Sequence, residues 1–131
     1  MEMKISLGGG KKIIAELNGN IIVTDQSINN GGEGSAPSPF DLFLASIGTC
    51  TGVYVKSFCD KRNISTEGIS LVQKMEYDKN THLVSSISIE INLPAGFPEK
   101  YKEAIVNSAD LCTVKRHLQN SPKISVSSKI E

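Results

Sequence analysis

Between Leu83 and Leu93 the chain alternates. Leu83, Ile87, Ile89, Ile91 and Leu93 are interleaved with Ser86, Ser88, Glu90 and Asn92, and the pattern breaks only at Val84 and Ser85. A period of two predicts a strand with one buried face. Residues 67–93 therefore read as a β-hairpin that turns within Asp78-Lys79-Asn80. Nearer the start, Lys4–Leu7, Ile13–Leu17 and Ile21–Thr24 are short β-prone runs separated by Gly8-Gly9-Gly10 and by Asn18-Gly19, both turn signals. After a break at Ser121-Pro122, Ile124, Val126, Ser128 and Ile130 alternate again and predict a last strand.

The stretch PSPFDLFLASIGTC and its continuation to Phe58 follow no strand period. Ser38 suits a helix N-cap, Pro39 the first helical position, and Asp41 the acid of a capping box. The predicted helix is apolar nearly all the way round (Phe40, Leu42, Phe43, Leu44, Ala45, Ile47, Val53, Tyr54, Val55, Phe58) and ends near Arg62-Asn63. A helix of that kind is a buried central one, covered by sheet or by a partner subunit. Phe97 to Ala109 reads as an amphipathic helix through Tyr101, Ala104 and Ile105, and Asp110-Leu111-Cys112 opens a shorter one reaching about Leu118. The order is βββ-α-ββ-αα-β over one domain, residues 1–131, with no repeat or linker. Antiparallel hairpins separated by helices make an α+β fold with an antiparallel sheet. Residues 25–37, DQSINNGGEGSAP, exceed a simple connector. They form either a flexible surface loop or one that lines a site.

Composition narrows the functions. The 131 residues can bury a core without metal or disulfide help. Their 14 basic and 14 acidic side chains cancel, which argues against nucleic-acid and anionic-membrane partners. MEMKISLGGG lacks the apolar segment of a signal peptide, and the long apolar region is interrupted by Asp41, Ser46, Gly48, Thr49, Thr51 and Gly52. A cytoplasmic protein with reduced thiols is expected. An odd count of three cysteines, no CxxC, and only His82 and His117 beside them point away from a zinc site, so no metal is expected.

Cys50 and Cys59 are nine residues apart, about 900° of helix, and so face opposite sides. Only one of them can pair with Cys112. Cys59, amid Lys56, Asp60 and Lys61, reads as a packing thiol. Cys50 follows Ser46-Ile47-Gly48-Thr49 and is either a small core residue or a nucleophile delivered to a pocket. If Gly48 breaks the helix, Thr49 becomes a second N-cap and Cys50 gains a helix N-terminus. Cys112 has a similar setting, with Asp110 as an expected N-cap and Lys115, Arg116 and His117 following. Two thiols so placed suit a peroxidatic–resolving pair, in which one attacks an O–O bond and the other condenses with the sulfenic acid.

PSPFDLFLASIGTCTGVYV, followed about sixty residues later by SADLCTVKRHL, resembles the OsmC/Ohr family of organic hydroperoxide resistance and osmotically inducible proteins. GGEGSAPSP and GTCTG look most like its YhfA-like branch. The resemblance implies an OsmC-like intertwined homodimer with sites at the subunit interface and no organic cofactor. It makes Cys50 the peroxidatic cysteine, Cys112 the resolving cysteine, and Asp41 the counterpart of a site-organising glutamate. It also implies organic hydroperoxide substrates and a thiol reductant, either a dithiol or a lipoylated protein. Some features depart from the pattern. No Arg precedes Arg62 to stabilise the thiolate, which leaves Lys11 or Lys12 as substitutes, and Thr113 stands where several peroxidases have proline.

The leading expectation is a thiol-dependent peroxidase with Phe40, Leu44 and Tyr54 as an apolar substrate wall. The alternative is a weakly catalytic or non-catalytic dimer that senses redox state or binds a small apolar ligand. Nucleotide binding through GGEGSAP is a distant third, because the loop lacks the third glycine and the parallel βαβ context. On one straight helix Asp41 and Cys50 would stand roughly 13 Å apart, so contact within a chain requires a break near Gly48.

Overall fold

The computed structural model describes residues 1–130. Three strands, β1 (Lys4–Leu7), β2 (Ile13–Leu17) and β3 (Asn20–Thr24), form an antiparallel meander. Asn18 and Gly19 both take positive φ, 51° and 80°, so the two-residue turn pairs Leu17 with Asn20. Helix α1 (Pro39–Lys61) follows, then β4 (Ser70–Tyr77), β5 (Val84–Asn92), α2 (Lys102–Ala109) and α3 (Thr113–Gln119). A 3₁₀ turn at Glu99–Tyr101 precedes α2, which therefore starts later than its apolar spacing suggested. The chain divides into two compact units, Met1–Ala45 and Ser46 onward, and α1 begins in the first and continues in the second. The sheets are likewise two, β1-β2-β3 and β4-β5, and both are antiparallel as expected.

Ser38 caps α1 as expected, its Oγ accepting the Asp41 N–H at 3.1 Å. The helix ends where Asn63 turns left-handed at φ 52°. It does not break at Gly48. Thr49 and Thr51 turn their hydroxyls back on the carbonyls of Ser46 and Ile47, at 3.4 and 2.9 Å, and stay inside the helix. Gly48 has another use. A Cβ there would lie 2.5 Å from Gln73 Oε1. Gln73 pairs with Ile89 on the face of β4-β5 that also carries Leu71, Met75, Ile87 and Ile91. The glycine leaves space on the helix for the one polar side chain of that face.

In α1, Leu44, Ile47, Thr51, Val55, Phe58 and Cys59 are buried, while Phe40, Phe43 and Val53 are exposed. The expected buried central helix is thus covered along one stripe only. Length and composition alone would let α1 cross a bilayer. Its core packing, Val55, Phe58 and Cys59 with Ile105 and Ala109, marks it as the central helix of a folded unit. Ile64, Ile69, Leu71, Ile91, Leu93, Phe97 and Tyr101 extend that core.

The hairpin register runs from Ser70 opposite Asn92 to Met75 opposite Ile87 and then slips between Glu76 and Tyr77. The slip coincides with the break in alternation at Val84 and Ser85. Asp78 Oδ1 closes the turn by accepting the N–H groups of Asn80 and Thr81. The predicted last strand is absent among the described residues: 121–130 forms no strand. Ile124, Val126 and Ile130 are almost fully exposed. Alternation makes a segment fit to be a strand, but a ladder also needs a neighbouring strand to bond with.

Candidate functional site

The two cysteines singled out as a redox pair both lie in the unit that starts at Ser46. Cys50 is half-buried in the body of α1, with no helix N-terminus beside it. Cys112 is 1% exposed and occupies the N-cap of α3, where its Sγ accepts the Lys115 N–H at 3.3 Å. That corrects the assignment of Asp110, which ends α2 and instead pairs its carboxylate with the Lys115 ammonium. The backbone reaches its extended cap conformation one residue before Thr113, so the thiol and not the carboxylate faces the free N–H groups.

A cavity of about 270 Å³ opens beside Cys112. Ile47 and Thr51 of α1 form one side, Ile87, Ile89 and Ile91 of β5 another, and Val106, Ala109 and Leu118 the rest. The Asp110–Lys115 pair supplies its polar edge. Among the described residues Cys50 does not line it, although its neighbours on the helix do. The three isoleucines are the lining that residue-by-residue reading missed. Their alternation marked a buried face, and nothing local indicated that part of this face borders a space.

Tyr54, one turn after Cys50, joins the two thiol-bearing elements. Its hydroxyl lies 2.9 Å from Thr113 Oγ1 and receives a hydrogen bond from Arg116 Nη2 at 3.4 Å. Arg116 Nη2 also donates to Thr113 Oγ1 at 3.3 Å. Cys59 is fully buried in the core. Loss of hydration, and then the nearby Asp60 carboxylate, push its thiol pKa upward. It is a packing thiol, as its setting among Lys56, Asp60 and Lys61 suggested.

The remaining candidates belong to the N-terminal unit. Phe40 is exposed and stacks on Phe43 with ring centroids 5.6 Å apart, while Leu44 is buried. Tyr54 is therefore the one member of the expected apolar wall that shares a unit with the thiols. Asp41 lines a different, polar cavity of about 360 Å³ with Gln26, Ser27, Asn30 and Ser38. With α1 unbroken, the condition for Asp41 to reach Cys50 within one chain is not met. Lys12, a candidate substitute for arginine, pairs with Glu33 at 3.0 Å.

Asp25 organises the Gly-rich loop that frames the Asp41 cavity. One carboxylate oxygen accepts Ser35 Oγ at 2.6 Å and the N–H groups of Ser35 and Glu33, and the other accepts Gln26 N–H at 2.7 Å. These bonds, the Ser35 hydroxyl foremost, lower its pKa from 3.8 to about 2. Gly32 lies against this staple, for a Cβ there would sit 2.1 Å from the Gln26 carbonyl oxygen. The DQS start of the loop was the available signal, but its partners eight and ten residues away were not legible.

An α+β chain with Cys50 and Cys59 on its long helix and Cys112 beside an apolar cavity defines a small thiol protein. Among the described residues no cluster of His, Cys, Asp and Glu could hold a metal ion. This chain belongs to the OsmC-like protein family, whose model matches residues 32–127. An osmotic stress and detoxification response protein of Psychrobacter arcticus 273-4 is similar over 87% of this chain and 85% of its own, at 25% identity and TM-score 0.73. The organic hydroperoxide resistance protein OsmC of Legionella pneumophila shares the fold at 19% identity and TM-score 0.59, covering 91% of this chain and 90% of its own. The organic hydroperoxide resistance protein OhrB of Bacillus subtilis does so at 15% and 0.53, covering 92% and 93%. A comparison with curated proteins returned no match.

Proposed function

We propose that this chain is a thiol-dependent peroxidase that reduces organic hydroperoxides. The observation that carries the reading is the apolar cavity beside Cys112, which shares Ile47 and Thr51 with the helix of Cys50. Such a cavity suits an alkyl or aryl group better than hydrogen peroxide, which has no apolar surface to bury. The Cys50 thiolate attacks the outer peroxide oxygen, the O–O bond breaks, and the substrate leaves as an alcohol after taking up a proton. Cys50 is left as a sulfenic acid. The Cys112 thiol condenses with it, forming the S–S bond and releasing water. An external dithiol or a lipoylated protein then reduces the disulfide by exchange.

Family membership and the half-covered α1 support a homodimer. Any contribution of Asp41 to Cys50 then comes from the partner subunit. A cytoplasmic setting suits the thiol chemistry. The same apolar cavity favours the second reading, a dimer that binds a small apolar ligand or senses oxidants without turnover.

A steady-state assay tests the choice, with cumene or tert-butyl hydroperoxide as oxidant and dithiothreitol or dihydrolipoamide as reductant. Turnover that is abolished in Cys50→Ser is the expected result. No consumption by protein with reduced, intact thiols would leave the binding or sensing reading.

A further inference from the structure

We propose that Arg116 is a positioning residue for the resolving step, holding the Cys112 end of α3 against the Cys50 face of α1 through Tyr54 and Thr113. The proposal rests on the peroxidase reading above. Cys50 and Tyr54 are four residues apart in an unbroken helix and so share a face. Helical side chains lean toward the N-terminus, which carries the Tyr54 ring back over the turn that bears Cys50. Its hydroxyl is held by Thr113 and Arg116, and Thr113 immediately follows Cys112. The thiol itself is fixed as the cap of the same helix.

Arg116 suits this task for a chemical reason. Its Nη2 bonds both the Tyr54 and Thr113 hydroxyls, at 3.4 and 3.3 Å, and closes a three-membered ring of polar groups. The rigid guanidinium plane holds that nitrogen in place, whereas lysine would carry its ammonium on a freely rotating stem. Lys12–Glu33, Lys56–Asp60 and Lys115–Asp110 are ion pairs that leave Arg116 out, and among the described residues no carboxylate draws its guanidinium off the two hydroxyls. Helix α3 is only seven residues long and too short to hold its place unaided. The clasp supplies the missing constraint 62 residues away in sequence. Disulfide formation is sensitive to such placement because sulfur must approach sulfur along a narrow range of geometries.

The test separates placement from peroxide chemistry by using diamide, whose N=N bond takes two electrons and two protons from the thiols as the S–S bond forms. Closure of Cys50–Cys112 is timed by peptide mapping in the wild type, Arg116→Ala, Arg116→Lys and Tyr54→Phe, with far-UV circular dichroism as the check on folding. Closure about tenfold slower in Arg116→Ala is expected, the order that follows loss of a hydrogen bond from a charged group. Tyr54→Phe should show a similar loss and Arg116→Lys a smaller one. Cys50 alkylation by iodoacetamide should change less than twofold, a contrast that general loosening of the fold would not produce. Equal closure rates in the wild type and Arg116→Ala would overturn the clasp, and so would equal slowing of closure and alkylation. A wild type that closes the bond with diamide yet consumes no hydroperoxide would defeat the peroxidase reading while leaving the clasp in place.

Discussion

Ser35 donates its hydroxyl to Asp25 at 2.6 Å, the shortest of four bonds that gather the Gly-rich loop around one carboxylate. Because folding lowers this pKa, the stabilisation is present above 3.8 and is lost as pH falls toward about 2. Asp25→Asn should melt below the wild type at neutral pH. The gap between their melting temperatures should close over that acid window. A gap independent of pH would show that the charge is not what the loop uses.

Glycine to alanine should have opposite consequences at two positions. At Gly32 the new Cβ meets backbone 2.1 Å away, which cannot yield, and destabilisation beyond about 2 kcal/mol is expected. At Gly48 it meets the end of a flexible glutamine at 2.5 Å, and alanine gains about 1 kcal/mol of helix propensity. Gly48→Ala should therefore lie within about 1 kcal/mol of the wild type, and Gly48→Ala with Gln73→Ala should be more stable than Gln73→Ala alone. Urea unfolding decides both.

Cys112 caps α3 through its sulfur, so its replacement by serine and by alanine should differ. Cys112→Ser keeps an acceptor for the Lys115 N–H, whereas Cys112→Ala should be about 1 kcal/mol less stable than Cys112→Ser. Both should lose the intramolecular disulfide. Equal stabilities would show that the cap contributes nothing.

Limited hydroperoxide treatment should produce a Cys50–Cys112 link that is absent from Cys50→Ser. Cys59, fully buried and with its pKa raised by lost hydration, should resist alkylation until the chain unfolds. Mass mapping that finds oxidation confined to Cys59 would reverse the assignment of the thiols.

Val53 stands 61% exposed on α1, and Phe40 and Phe43 are open nearer the start of the same helix. A second copy is the expected cover. Sedimentation equilibrium at micromolar concentration should give a dimer, and Val53→Asp should shift it toward monomer. A wild-type monomer would contradict the intertwined assembly.

Local patterns were legible where local physics decides them. The period of two gave the β5 strand and even its irregularity at Val84–Ser85, Ser38 announced the start of α1, and helix phase separated Cys59 from Cys50. What was not legible depends on partners distant in the chain. Gly48 looked like a helix breaker because its reason, Gln73, lies on a strand 25 residues away. The alternation from Ile124 to Ile130 was a sound pattern that meets no neighbouring strand among the described residues. The acidic side chain of Asp110 suggested a cap, yet the chain turns one step later and puts a thiol in that place. The cluster of Tyr54, Thr113 and Arg116 had no sequence signature at all.

The space left by Gly48 makes positions 48 and 73 a single evolutionary unit. A lineage that puts anything larger than alanine at 48 must first shorten or swing away the glutamine, whereas alanine asks only that the flexible end of the glutamine shift. Across relatives these two columns should therefore change together and in a preferred order, with the strand residue altered before the helix residue. A sequence carrying a large side chain at both places would belong to a protein whose hairpin has moved away from its helix.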